Sequence, residues 1–298
     1  MNGDILTGRT IAGYHLTRYV GEGGTATVYR AEHPERGLAA VKLLRARLAQ
    51  DPVAVKRFLR EAEYGARMSH PSIVRTYDYG VAEGLHYLAL EWADGEPLAE
   101  FINRSGHLAP PLAAKIVEQI GAALSAAHRA GIIHRDLKPA NIMYDPVHQT
   151  AKLLDFGIAR DAELSPEERL TRAGFFVGTL QYVAPETLSG ELVKEQADVY
   201  SLATITYYML TGALPFTGKS PRELFQQLLT QAPVPLNQAR RGLKFSHAIE
   251  NTVMQGLERD LSKRCRTVED FARAFCAAAQ DDAPKRGFLA GLFRKSGE

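Results

Sequence analysis

The chain has 298 residues, 45% of them hydrophobic, with a formal net charge of +2. It is long enough for a sizeable core and lies near the size at which single cores divide, while a charge so close to balance argues against nucleic acid as a partner. The first four residues lack the plan of a signal peptide, and the most apolar stretch, 201–216, holds threonines, a glycine and a proline and reads as a buried helix rather than a membrane span. The two cysteines, Cys265 and Cys276, make neither a disulfide framework nor a metal-ligand pattern, so a reduced, cytoplasmic protein is expected.

Alternation predicts strands over 14–20 and 27–31, flanking a glycine-rich turn, and a third strand over 38–44. Residues 51–68 read as a helix, with Phe58, Leu59 and Ala62 on one face and charges opposite. Beyond Pro71 the stretches 73–81 and 85–92 read as two more strands. The run from Ala93 to Pro97 is a turn-rich break. The chain then becomes mostly helical, over 112–130, 197–211, 221–231, 248–256 and 268–279. An α+β, bilobal architecture is predicted, a small β-rich lobe followed by a larger helical one. No internal repeat is visible. Residues 281–298, with Pro284, glycines and basic residues, read as a tail outside the core.

Several short strings carry chemistry. Gly21-Glu22-Gly23-Gly24-Thr25-Ala26-Thr27-Val28 lies between two predicted strands, and glycines let a backbone bring its amides close to phosphate oxygens. Many hairpins use such glycines. A dinucleotide-binding turn would need a helix next, whereas Val28-Tyr29-Arg30 continues as strand. Lys42, inside an apolar strand, needs an anionic partner, and the following helix carries two acids, Glu61 and Glu63. A solvated surface pair is the plain alternative. His134-Arg135-Asp136-Leu137-Lys138-Pro139-Ala140-Asn141 sets an acid, a lysine and an amide on one loop. Phosphoryl transfer needs such a set: a carboxylate to orient a hydroxyl, a cation to meet the transferred group, and an oxygen ligand for a metal ion. The plain alternative is a surface turn of mixed charge. Asp155-Phe156-Gly157 follows the apolar run Lys152-Leu153-Leu154, which reads as a short strand.

Taken in order, these strings resemble the signatures of the protein kinase family: the glycine loop, Ala40-Val41-Lys42, the helix glutamate, the His-Arg-Asp loop, Asp-Phe-Gly, and finally Ala184-Pro185-Glu186. The wording is most similar to bacterial serine/threonine kinases of the eukaryotic-like (Hanks) type. The resemblance covers residues 14–276. It implies a small lobe over about 14–92, a large lobe over about 93–276, ATP as phosphoryl donor, and Mg2+ or Mn2+ as the metal.

The resemblance also implies roles for single residues. Asp136, Lys138, Lys42 and Glu61 would be catalytic, and Asn141 and Asp155 would bind metal. Gly21, Glu22, Gly23, Gly24, Thr25, Ala26 and Val28 would line the nucleotide site. Ala40, Lys42, Glu91, Ala93 and Met143 would complete it. Lysine two places after the catalytic aspartate marks serine/threonine specificity, and Thr179 would contact the substrate hydroxyl. Glu186 would pair with Arg264, and Asp198 would bond amides near His134 and Arg135. Arg135 implies a phosphate switch on the segment 155–186, with Thr171 the first candidate for autophosphorylation and Ser165 the next.

The sequence departs from the pattern in three places. Ala26 stands at the third glycine position, and Cys265 where a proline is frequent. Gly65, one helical turn after Glu61, stands where a bulkier apolar residue braces the helix, which implies a less rigid helix and conditional activity. The expected partners are protein substrates and a second copy for trans-autophosphorylation. The tail, 285–295, mixes basic and apolar residues as a membrane-surface helix would, but Gly287 and Gly291 weaken a helix and favour a flexible tail. Two rivals stand beside the kinase reading. A nucleotide-binding pseudokinase scaffold is disfavoured by the presence of Lys42, Asp136, Asn141 and Asp155. A small-molecule kinase of similar fold is disfavoured by Lys138-Pro139 and by Ala184-Pro185-Glu186.

Overall fold

The structure is a computed structural model that describes residues 6–155, 180–188 and 194–282. Its first part is a six-stranded antiparallel sheet. The strands are β1 (Thr10–Ile11), β2 (Tyr14–Glu22), β3 (Ala26–His33), β4 (Gly37–Leu44), β5 (Thr76–Ala82) and β6 (Leu85–Glu91), in the spatial order β1-β2-β3-β4-β6-β5. One helix, α1 (Pro52–Arg67), sits between β4 and β5. Its start is written in the sequence: Asp51 caps it by accepting from the Val53 amide at 2.9 Å, and Pro52 supplies the preset φ of a first turn.

Alternation along the strands divides the core in two. Val41, Leu43, Tyr87 and Ala89 join Tyr14, Leu16 and Tyr29 on one face. Leu44, Leu88 and Leu90 join Phe58 and Ala62 of α1 on the other, with Ala26, Ala40, Ala93 and Leu154 in the same cluster. Lys42 alternates with Val41 and Leu43, so it points to the α1 face.

Gly65 sits at a close contact between α1 and β5. A methyl group there would lie 2.6 Å from Thr76 Oγ1, so the missing side chain leaves no gap and lets α1 press against β5. Gly65→Ala should cost about 1–2 kcal/mol through overpacking, more than alanine's gain in helix propensity. Thr76→Ala in the same chain should recover most of that loss. Urea unfolding of the three proteins checks this, and a Gly65→Ala variant as stable as the parent would show that the contact is loose.

The strand expected over 73–81 begins only at Thr76. Residues 72–74 run instead beside a later strand, with Val74 N–H donating to the Leu153 carbonyl and Leu153 N–H to the Ser72 carbonyl, each at 2.9 Å. After β6 the chain forms β7 (Glu96–Pro97) and α2 (Leu98–Ser105), a helix hidden from the sequence behind the turn residues 93–97. Gly95 has φ +98°, and a Cβ there would strike the Tyr144 carbonyl oxygen at 2.2 Å, so only glycine fits between the lobes at this point. Then come α3 (Pro110–Arg129) and the hairpin β8 (Ile142–Asp145) and β9 (Thr150–Leu153), which pairs with β7.

Among the described residues the remaining α-helices are α4 (Pro185–Leu188), α5 (Gln196–Thr211), α6 (Pro221–Thr230), α7 (His247–Gly256) and α8 (Val268–Asp281). Ser220, Ser246 and Thr267 cap the last three through their hydroxyls. α5 is the axis of the large lobe, buried at every residue except Gln196 and Tyr208. Its threonines are compatible with that burial because Thr204, Thr206 and Thr211 each donate to the carbonyl four residues back, at 2.7–2.9 Å. Among the described residues no helix is long and apolar enough to cross a membrane.

Candidate active site

The site is built outward from α5. Asp198, near the positive N-terminus of that helix, is fully buried. Its Oδ2 accepts the His134 amide at 2.8 Å and meets His128 Nε2 at 2.7 Å, while Oδ1 accepts the Arg135 amide at 3.0 Å. Burial pushes the Asp198 carboxyl up, but His128, His134 and the loop amide outweigh it and hold it below the usual range, so it stays ionised. Arg135 adopts φ +62°, a left-handed conformation costly for a side chain of this size. Asp198 supplies the bonds that hold it there.

The turn that follows presents the chemistry. His134 is buried, and burial holds its imidazole below the usual range. Its Nδ1 accepts the Asp136 amide at 3.3 Å, which leaves the ring proton on Nε2. Asp136 Oδ2 receives Lys138 Nζ at 3.1 Å and Asn141 Nδ2 at 3.3 Å. Asn141 Nδ2 also donates to the Asp136 carbonyl at 3.0 Å. The lysine and the amide expected on this loop therefore both meet the acid, on a turn closed at Pro139–Asn141.

A second cluster lies on the small lobe. Lys42 Nζ is 3.4 Å from Glu61 Oε1 and also forms an ion pair with Asp155. Burial alone would push the ammonium down, but the two carboxylates outweigh it and hold it above its ordinary value. Burial pushes Glu61 up, against the pull of Lys42. The hairpin β8–β9 ties the clusters together, since the Leu154 amide donates to the Asn141 carbonyl at 3.0 Å. Asp155 follows, two residues past the end of β9.

The other expected positions fall around these two. Gly21 and Glu22 close β2 against Val28 and Thr27 of β3, and Val28 is in register with Lys42. A Cβ on Gly21 or Gly24 would meet nothing within 4 Å, so contacts inside the chain do not demand glycine there. What these glycines do is leave the surface of the loop open to an approaching group. Ala26, Ala40 and Ala93 share one apolar cluster, and Met143 lies on β8 opposite Pro97. Glu22 is engaged with Arg45. The Glu91 carboxylate pairs with Lys152 and accepts the Arg75 amide at 3.2 Å, so any contact of Glu91 with a ligand falls to its main chain. Phe156, Gly157, Ser165, Thr171, Thr179 and the tail from residue 283 lie outside the described residues.

Asn141 and Asp155 fit a divalent metal. The side-chain nitrogen of Asn141 is spent on Asp136, which leaves its side-chain oxygen Oδ1 for a ligand, and Asp155 brings a carboxylate. Both are hard oxygen donors, suited to Mg2+ or Mn2+ and not to a soft ion. The described residues hold no cluster of three or more histidines, cysteines or acids of the kind that would cage a metal by itself.

At the far end of the site Glu186 and Arg264 form a buried two-pronged pair, at 2.7 and 3.0 Å. The guanidinium also donates to the Glu258 carbonyl at 2.7 Å and the Gln196 carbonyl at 2.9 Å, and it lies 5.1 Å from the Tyr200 ring centre. Burial raises the Cys265 thiol beside it above its ordinary value, which makes it a poor nucleophile.

Sequence reasoning missed His128, Lys152, Arg45 and Arg47. Lys152 could have been found by the argument used for Lys42, since it too is a lysine set in an apolar strand that needs an anion. The arginines and His128 carry no such signal.

Comparison with known proteins agrees with this geometry. The family described as the protein kinase domain matches residues 14–277. The chain is 36% identical to the serine/threonine-protein kinase pkn3 of Myxococcus xanthus over 98% of its own length and 57% of that protein. It is 37% identical to the serine/threonine-protein kinase PknH of Mycobacterium tuberculosis over 99% of its length and 46% of that protein. It therefore spans about half the length of the curated relatives it matches. Among solved structures, the PknI kinase domain of Mycobacterium tuberculosis superposes with a TM-score of 0.71 at 29% identity, covering 92% of this chain and 100% of that one. Rad53 in complex with AMP-PNP gives 0.71 at 28% identity, over 89% of this chain and 65% of that one.

Proposed function

The chain belongs to the protein kinase family, and from that premise we propose that it transfers the γ-phosphoryl group of ATP to serine and threonine hydroxyls of proteins. The observation that carries this reading is the joint contact of Lys138 and Asn141 with Asp136, at 3.1 and 3.3 Å. The kinase domain is taken as 14–276, with lobes over about 14–92 and 93–276.

Asp136 orients the substrate hydroxyl and receives its proton as the oxygen attacks the γ-phosphorus. The bond to the β-phosphate oxygen breaks and ADP leaves. Lys138 is near enough to Asp136 to meet the charge on the transferred group from the same side. Lys42, held by Glu61, faces the nucleotide phosphates, and the glycine loop at 21–26 offers them its amides. Asn141 and Asp155 would hold the metal, Mg2+ or Mn2+, which when bound would neutralise phosphate charge. That Rad53 is solved with AMP-PNP supports an adenine nucleotide as the donor. Thr179 is the proposed contact to the substrate hydroxyl. Thr171, and after it Ser165, are the proposed sites of autophosphorylation, made by one copy on another.

Incubation with γ-labelled ATP and a generic basic protein, followed by acid hydrolysis, tests the reading. Labelled phosphoserine and phosphothreonine are expected. Label only in phosphotyrosine would overturn the specificity. Nucleotide binding without any transfer would favour a scaffold.

A further inference from the structure

Two arginines hold the glycine-rich turn, and the roles described above use neither. Arg45 and Arg47 lie just past β4, on the connection to α1, where Arg45 precedes the single turn Ala46–Leu48. Arg45 donates through Nη1 to the Gly23 carbonyl at 3.2 Å, and Arg47 through Nη2 to the Gly24 carbonyl at 3.0 Å. The second terminal nitrogen of Arg45 pairs with Glu22, and its main-chain N–H donates to the Thr25 carbonyl at 3.0 Å. Each residue from Glu22 to Thr25 is thus held by one of the two arginines.

The geometry of the peptide gives these bonds a consequence. A trans peptide is a rigid plane whose C=O and N–H point in opposite directions. Fixing the Gly23 carbonyl therefore fixes the N–H of Gly24, and fixing the Gly24 carbonyl fixes the N–H of Thr25. Glycines have no side chain that could do this and turn freely about φ and ψ. Within the turn itself Gly23 N–H is committed to the Ala26 carbonyl at 2.8 Å. The amides of Gly24 and Thr25 are the ones whose direction the arginines set. A charged donor also bonds a carbonyl more strongly than a neutral one and polarises the peptide, which makes the opposite N–H a better donor.

We infer that Arg45 and Arg47 are positioning residues for the nucleotide phosphates: they grip the outer carbonyls of the glycine turn and so preorganise the Gly24 and Thr25 amides to meet phosphate oxygens. The inference rests on the nucleotide reading above. Preorganisation raises affinity by removing an ordering cost that the ligand would otherwise bear. Only the phosphate-bearing part of the ligand gains from it. Arg45 is half-buried and Arg47 exposed, so their bonds contribute little to folding and their loss leaves the fold intact.

Titration calorimetry of the full chain with ADP and with adenosine separates these effects, because adenosine has the base and sugar but no phosphate. In R45A/R47A, ADP affinity should fall about tenfold while adenosine affinity stays within about twofold. A thermal melt of the variant close to the parent's should accompany that result. Equal loss for both ligands, or unchanged ADP affinity, would overturn the inference. A parent protein that binds neither ligand would overturn the nucleotide reading, and the inference with it.

Discussion

Asp136→Asn should leave nucleotide binding nearly unchanged and lower the turnover of phosphoryl transfer by about 10²- to 10⁴-fold. The size of the effect follows from what asparagine keeps and what it loses. Two donors, Lys138 Nζ and Asn141 Nδ2, face the Asp136 carboxylate, so an asparagine would turn its oxygen toward them and keep the shape of the loop. It would then present an NH2 group where the substrate hydroxyl requires an acceptor, and it could not take the proton. The defect should appear in kcat, measured with labelled ATP at saturation, and not in the KM for ATP. Equal turnover in the two proteins would remove Asp136 from the chemistry.

The second large effect concerns stability. Replacing Arg264 by methionine should cost about 3–5 kcal/mol, because Glu186 would be left as a buried, uncompensated charge. The loss should lower the melting temperature by on the order of 10 °C. Glu258 and Gln196 would lose a donor to their carbonyls as well, and Tyr200 its cation. The double variant Arg264→Met with Glu186→Leu should recover part of the loss, since no charge is then stranded. A single variant that melts like the parent would mean that water reaches this pair.

The catalytic loop was legible in the sequence because its chemistry is local. Asp136, Lys138 and Asn141 lie within six residues, and the string that names them also folds them together. The partners of Lys42 were legible only as types. Glu61 and Asp155 were each marked by a short string, yet a pattern of residues does not say that Asp155, 113 positions away, contacts the ammonium as well as Glu61. Glu22 and Glu91 were expected to line the nucleotide site, but no string named the partners of their carboxylates, Arg45 and Lys152, which lie far off in the chain. The close packing at Gly65 was hidden for a related reason. A glycine in a helix reads as looseness until the neighbour that presses on it is known, and Thr76 belongs to a different element. Helix α2 was hidden because it starts behind Pro97 without a side-chain cap.

The bonds of Asp198 to the amides of His134 and Arg135 give the catalytic turn a lifetime it would not have by itself. A surface turn opens and recloses continually, at little cost in free energy. This one is fastened to the most deeply buried helix of the large lobe, so releasing it exposes an ionised carboxylate in the core. Its opening therefore belongs to the global unfolding of that lobe. On heating, chemistry should persist until the lobe melts and then vanish with it, with no earlier stage in which a folded protein has lost its loop.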